Sequence, residues 1–150
     1  MQYFIIDGNN LIGKISDLKA LQQKEPQASR EQLVLVLDKY FSDKKQKVYL
    51  HFDGFSKEPI RTIKLKIVYS DEKTADDKIR AQIERAKNPK LYTIVTSDRA
   101  LGEFAKVCSC EVIKSEKFAR MLKSAGSKNS EQEIISKMSV EEFKKLFNAE

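Results

Sequence analysis

Three times along this 150-residue chain a short apolar run ends at or near an aspartate. Tyr3-Phe4-Ile5-Ile6 runs into Asp7-Gly8, and Val48-Tyr49-Leu50-His51-Phe52 runs into Asp53-Gly54. Leu91-Tyr92-Thr93-Ile94-Val95 runs into Thr96-Ser97-Asp98. Short β-branched and aromatic runs bounded by turn residues read as buried strands. Helical patterns separate them. Strands alternating with helices fold as an α/β domain with a mostly parallel central sheet, because right-handed crossovers return each strand in the same direction. In such a sheet the carboxyl ends of all strands lie on one edge, where ligands bind. Asp7, Asp53 and Asp98 are therefore expected on one edge.

The stretches between complete the expectation. Over residues 9–24, Leu11, Ile12, Ile15, Leu18 and Leu21 recur at helical spacing, which predicts a helix closed by Pro26. Ser29 and Gln32 have capping-box spacing and open a helix to about Ser42, with Leu33, Val34, Leu37, Tyr40 and Phe41 inward. Ile63 to Tyr69 alternates apolar and basic residues, the pattern of a strand with one wet face. Thr74 and Asp77 cap a helix with Ile79, Ile83 and Ala86 inward, and Asn88-Pro89 stops it. A helix around Leu101 to Val107, a strand at Cys110 to Ile113 and a helix over 115–124 follow. Ser124 to Ser130 has linker composition. Beyond it, Ser139 and Glu142 cap a helix with Val140, Phe143, Leu146 and Phe147 on one face. The expected organisation is a domain over 1–124 and a linker with a helical tail over 125–150.

Composition narrows the partners. A net charge of +6 favours an acidic partner, of which nucleic acid is the commonest. No apolar stretch approaches the roughly 20 residues of a membrane span, and the first residues lack the basic start of a signal peptide. Cys108 and Cys110 are too few for a zinc site and read as reduced thiols of a cytosolic protein.

Each acid has an ordinary structural explanation. Asp7 and Asp98 can cap the helices that follow, Asp53-Gly54 is a common turn, and Asp76 and Asp77 complement a helix dipole. Taken singly, those explanations are the better ones. Taken together they weaken, because two unit charges at about 4 Å repel by about 4 kcal/mol at an effective dielectric near 20. A cation offsets that cost. Mg²⁺ prefers carboxylate and water oxygens and keeps positions open for phosphate, and Mn²⁺ substitutes for it. A carboxylate-held cation in basic surroundings is chemistry for phosphodiester hydrolysis and needs no side-chain nucleophile. That suits a chain whose single histidine, His51, lies within a strand and reads as a core or edge residue. Ser97 and Asn10 are candidates for orienting a ligand or an aspartate. Lys57, Arg61, Lys64, Lys66, Lys78 and Arg99 are candidates for backbone phosphates, although a solvated surface explains any one of them. Phe55 and Tyr69 are more easily packed than stacked on bases.

At these residues the sequence resembles the YacP-like NYN group of the PIN-like nucleases. Ile5-Ile6-Asp7-Gly8-Asn9-Asn10-Leu11-Ile12 is similar to the group's opening strand and turn, and Phe52-Asp53 to its second acid. Lys73-Thr74-Ala75-Asp76-Asp77-Lys78-Ile79 resembles its Thr-Ala-Asp helix start, and Ile94-Val95-Thr96-Ser97-Asp98-Arg99 its Thr-Ser-Asp motif. Asn9 departs from the aromatic often found there, and Cys108-Ser109-Cys110 replaces a Gly-containing turn. The match covers about residues 2–122. The resemblance implies a three-layer α/β/α PIN-like fold, a Mg²⁺ or Mn²⁺ site and endoribonuclease activity, in some members on ribosome-associated mRNA. By position it implies Asp7, Asp76 and Asp98 as metal ligands, with Asp53 a further acid and Asp77 a less firm match. Hydrolysis of RNA by an activated water, leaving 5′-phosphate and 3′-hydroxyl ends, is the expected reaction. A non-catalytic RNA- or ribosome-binding module is the alternative, and a nucleotide phosphatase the third. The intact acid set weighs against the first, and the broad basic surface without a Gly-rich loop against the second.

Overall fold

The computed structural model describes residues 1–130. Its centre is a five-stranded sheet in which every pairing is parallel, in the order β3-β2-β1-β4-β5. The strands are β1 (Tyr3–Asp7), β2 (Lys47–Phe52), β3 (Leu65–Tyr69), β4 (Tyr92–Val95) and β5 (Glu111–Ile113). The helices are α1 (Gly8–Ile12), α2 (Ser16–Lys24), α3 (Pro26–Phe41), α4 (Ala75–Arg85), α5 (Arg99–Val107) and α6 (Ser115–Ser130). The first strand is central, with β2 on one side and β4 on the other. The chain therefore leaves β1 in one direction and later returns to its other flank, which places the topological switch beside Asp7.

Strand alternation sorts the core into two layers. Phe4 and Ile6 of β1 and Val48, Leu50 and Phe52 of β2 face the helices α1, α2, α3 and α6. There Phe4 meets the edge of Phe41 at 5.1 Å, and Phe41 stacks with Phe118 at 6.2 Å. Ile5 and Ile94 face the opposite way, onto Ile79 and Ile83 of α4 and Leu101 and Ala105 of α5. Helices on both faces of a parallel sheet are the three-layer α/β/α arrangement expected.

Several local expectations change. The segment 9–24 is two helices, because turn bonds from Lys14 N–H to the Leu11 carbonyl and from Ile15 N–H to the Ile12 carbonyl end the first after Gly13. Pro26 begins α3, where its missing N–H is harmless at the first helical position. Ser29 lies inside that helix, fully buried, and its hydroxyl donates to the Leu18 carbonyl, joining α2 to α3. Ile63 and Lys64 stop short of β3, because Asp38 accepts both their N–H groups and the Thr62 hydroxyl at 2.7–2.9 Å. The stretch 124–130 is the end of α6 rather than a linker; it contains no proline, and one glycine costs a helix only about 1 kcal/mol. The expected helix at 139–147 lies outside the described residues. Both cysteines are free. Among the described residues no helix is long and apolar enough to cross a membrane.

Candidate active site

The turn after β1 organises the carboxyl edge of the sheet. Gly8 is required there because a Cβ would sit 2.6 Å from the His51 carbonyl and 2.8 Å from the Phe52 ring. That closeness lets the next two residues reach both neighbouring strands. Asn9 accepts the Asp53 N–H at 2.9 Å, beyond the end of β2. Asn10 accepts the Ser97 N–H at 2.8 Å, beyond the end of β4, and the Ser115 hydroxyl at 2.7 Å. Asn10 thus positions the Ser97 loop, and Asn9, which the sequence marks only as a departure from pattern, does the same for Asp53.

Asp7 stands at this edge with 9 % of its surface exposed. It occupies the position before α1 but makes no side-chain cap. One carboxylate oxygen accepts the Thr96 hydroxyl at 3.0 Å, and Thr96 in turn accepts the Asp98 N–H. Burial pushes the Asp7 carboxyl up to about 6; the Thr96 hydrogen bond opposes this, and the nearby charges of Asp53 and Asp76 add to it. The three acids therefore share one electrostatic neighbourhood.

The other acids combine structural roles with spare oxygens. Asp53 accepts the Ala75 N–H at 2.7 Å and ties β2 to the start of α4. Asp76 is held through one oxygen by Arg80 at 2.8 Å, while its Oδ1 is buried without a hydrogen-bond partner. Asp77 forms the expected capping box with Thr74. Asp98 caps α5 by accepting the Leu101 N–H at 2.9 Å and is exposed. Ser97 donates to Glu116 and accepts the Ser115 N–H. That hydrogen bond holds the Glu116 carboxyl below the usual range. Glu116 is an acid at this edge that sequence reasoning missed; it opens α6, and only its helix-start position hinted at it.

Among the described residues no three His, Cys, Asp or Glu side chains close into a metal cage. The expected trio Asp7, Asp76 and Asp98 is thus not drawn together as a set. The donors nonetheless fit a hard cation. All are carboxylates, Asp7 carries the repulsion a cation would relieve, and Asp76 Oδ1 has no other partner. Mg²⁺ characteristically keeps waters and uses one or two carboxylates plus substrate phosphate, so it does not need a closed cage.

The expected phosphate contacts divide by location. Lys78 lies in α4 and Arg99 at the start of α5, both beside the acid edge. Arg99 also pairs with Glu103 at 3.7 Å on the surface. Lys66 faces the groove between sheet and α4. Lys57 and Arg61 are exposed in the connection from β2 to β3. Lys64 precedes β3, at the opposite end of the sheet from the acids, and its ammonium donates to the Lys44 carbonyl. It is a structural residue, because a parallel sheet puts the two ends of a strand on opposite edges. His51 is buried as expected, and its Nε2 donates to Gln82 Oε1 at 2.8 Å. Arg30 of α3, also missed, lies over the Phe52 and Tyr69 rings and donates to the carbonyls of Asp53 and Phe55, fixing the loop that carries Asp53.

The chain is similar to solved structures of Rae1 (YacP) from Bacillus subtilis. Against one it is 21% identical with a TM-score of 0.69, covering 95% of this chain and 84% of that one. Against a single-substitution mutant it is 19% identical with the same TM-score of 0.69, covering 82% of this chain and 75% of that one. At such identity the likeness speaks to the fold. No curated protein matches the chain. The family model for the YacP-like NYN domain matches residues 4–149, nearly the whole length. The chain belongs to the YacP-like NYN domain family.

Proposed function

We propose that this protein is a divalent-cation-dependent endoribonuclease. Membership of the family carries a PIN-like, nuclease-type function related to RNA. The observation that supports the finer reading is Asp7: a buried carboxyl at the sheet's switch point, raised to about 6 and facing two further acids. A structural role gives no reason to keep that repulsion, whereas a cation site does.

In this reading Asp7 and the unpartnered Oδ1 of Asp76 would hold Mg²⁺ or Mn²⁺, with Asp53 and Asp98 on the same edge of the sheet. The cation, when bound, polarises a phosphoryl oxygen and lowers the pKa of a water. The remaining work belongs to the chain. Thr96 fixes the Asp7 carboxylate by donating to one of its oxygens. Asn9 and Asn10 hold the Asp53 and Ser97 loops at their spacing from Asp7. Lys78 and Arg99 attract the RNA backbone to an edge that would otherwise repel it. Messenger RNA on the ribosome is the first natural substrate to try.

The test is internal cleavage of a 5′-labelled structured RNA with Mg²⁺, with Mn²⁺ and with EDTA, comparing wild type with Asp76→Asn. Cuts that need the metal and vanish in the variant are expected. Folded protein that cuts neither free RNA nor message on translating ribosomes overturns the enzymatic reading and leaves an RNA-binding module.

A further inference from the structure

The sheet face beneath α4 is covered only in part. Beside that helix, toward the edge strand β3, lies a groove of about 390 Å³, within the roughly 300–1,000 Å³ of small-ligand sites. Its floor is sheet: Tyr49 and His51 from β2, with Lys66 and Val68 in register beside them on β3. Its wall is helix: Lys78, Gln82 and Arg85, spaced so that one face of α4 presents all three. It begins next to the acids, since His51 pairs in register with Asp7. It runs along the helix that starts with Asp76, and Arg85 lies about 14 Å further along that axis.

Two features make this more than a charged surface. Three cationic side chains converge on one cavity that also offers the aromatic surface of Tyr49 and Tyr92. In addition, the Gln82 amide is fixed. His51 is buried, and its Nε2 lies 2.8 Å from Gln82 Oε1, an oxygen that can only accept, so the ring N–H is spent there. Gln82 therefore turns its carbonyl to the core, and no described residue takes its amide N–H groups.

We propose that this groove is a nucleotide subsite: Lys66, Lys78 and Arg85 take the phosphate, and the Gln82 amide donates to an acceptor on the base. His51 is the positioning residue that sets the amide. With Oε1 occupied, Gln82 cannot make the paired donor and acceptor contacts that select adenine. The subsite therefore takes any base that offers a carbonyl or ring-nitrogen acceptor and does not select adenine. The proposal extends the RNA track of the nuclease reading and rests on that reading only for the identity of the polymer.

Titration with AMP, GMP, CMP and UMP without divalent cation, followed by the imidazole NMR signals of His51, tests it. His51 is the single histidine, so its signal is unambiguous. Saturable shifts are expected with all four nucleotides, at least several-fold tighter than with inorganic phosphate. Lys66→Glu with Arg85→Glu should weaken binding ten-fold or more, and Gln82→Ala should remove the advantage of nucleotides over inorganic phosphate, with unchanged circular dichroism. No shift with any nucleotide, or an equal response to inorganic phosphate, overturns the subsite even where RNA is cleaved. Nucleotide binding without any RNA cleavage leaves the subsite standing and removes the nuclease reading.

Discussion

Asp7 sets an opposition between folding and function. Its carboxyl is raised from 3.8 to about 6, so the folded chain holds that proton more tightly than the unfolded chain does. The Asp7 contribution to stability therefore falls as pH rises from about 4 through about 6 and stays low above that. Raising that carboxyl from 3.8 to about 6 is worth about 3 kcal/mol. Asp7→Asn should remove that slope and raise stability at pH 7 while abolishing cleavage; urea unfolding at several pH values checks it. An unchanged slope would place the titrating group elsewhere. The same logic predicts that millimolar Mg²⁺ raises the melting temperature at pH 7 and does so less below about pH 6, where the proton competes. A melting temperature indifferent to Mg²⁺ at both pH values would argue against Asp7 as a ligand.

At the scale of elements, the close contact of α1 with β2 governs. Gly8→Ala puts a methyl 2.6 Å from a backbone carbonyl that cannot swing away, so the turn must shift. A loss of about 1–3 kcal/mol is expected, as for other overpacked sites, with weaker cation affinity because Asn9 and Asn10 move with it. Wild-type thermal stability in that variant would mean that the turn relaxes freely. The connection into β3 depends similarly on Asp38. Burial works against its ionised form, but the Thr62 hydroxyl and the following backbone N–H groups more than offset this and hold its pKa low. The elements were legible in the sequence wherever one face had to be buried: the five strands, the capping box at Thr74 and the inward sets of α3 and α4. Ser29, Pro26 and the Ser124 to Ser130 stretch were misread because local signals have two uses. A serine can cap a helix or tie two together, and proline stops one helix and starts another. The acids were legible as residues but not as a geometry. Aspartates 7 and 76 come together only through strand order, and the roles of Asn9, Thr96, Arg30 and Glu116 depend on partners distant in sequence.

Across the whole molecule the basic charge is unevenly useful. Lys78 and Arg99 flank the acid edge, whereas Lys64 sits at the far end of β3 and serves a carbonyl there. Lys78→Ala should lower the salt dependence of single-stranded RNA binding by about 0.7 in the log–log slope. Lys64→Ala should leave that slope where it was and weaken the fold slightly. Fluorescence anisotropy with a labelled oligonucleotide across a salt series separates the two, and equal effects would mean that RNA contacts both ends of the sheet.

Asn9 and Asn10 point in opposite directions from consecutive positions, one to each neighbour of the central strand. A single short turn thus binds both of the segments that carry Asp53 and Asp98. Any inserted or deleted residue there would displace two flanks at once, so this turn should tolerate almost no change in length. The exposed Ser56, Lys57 and Pro59 of the connection from β2 to β3 have no such obligation. Variation in what RNA is accepted can accumulate there while the chemistry stays constant, which separates the part of the molecule that can diversify from the part that cannot.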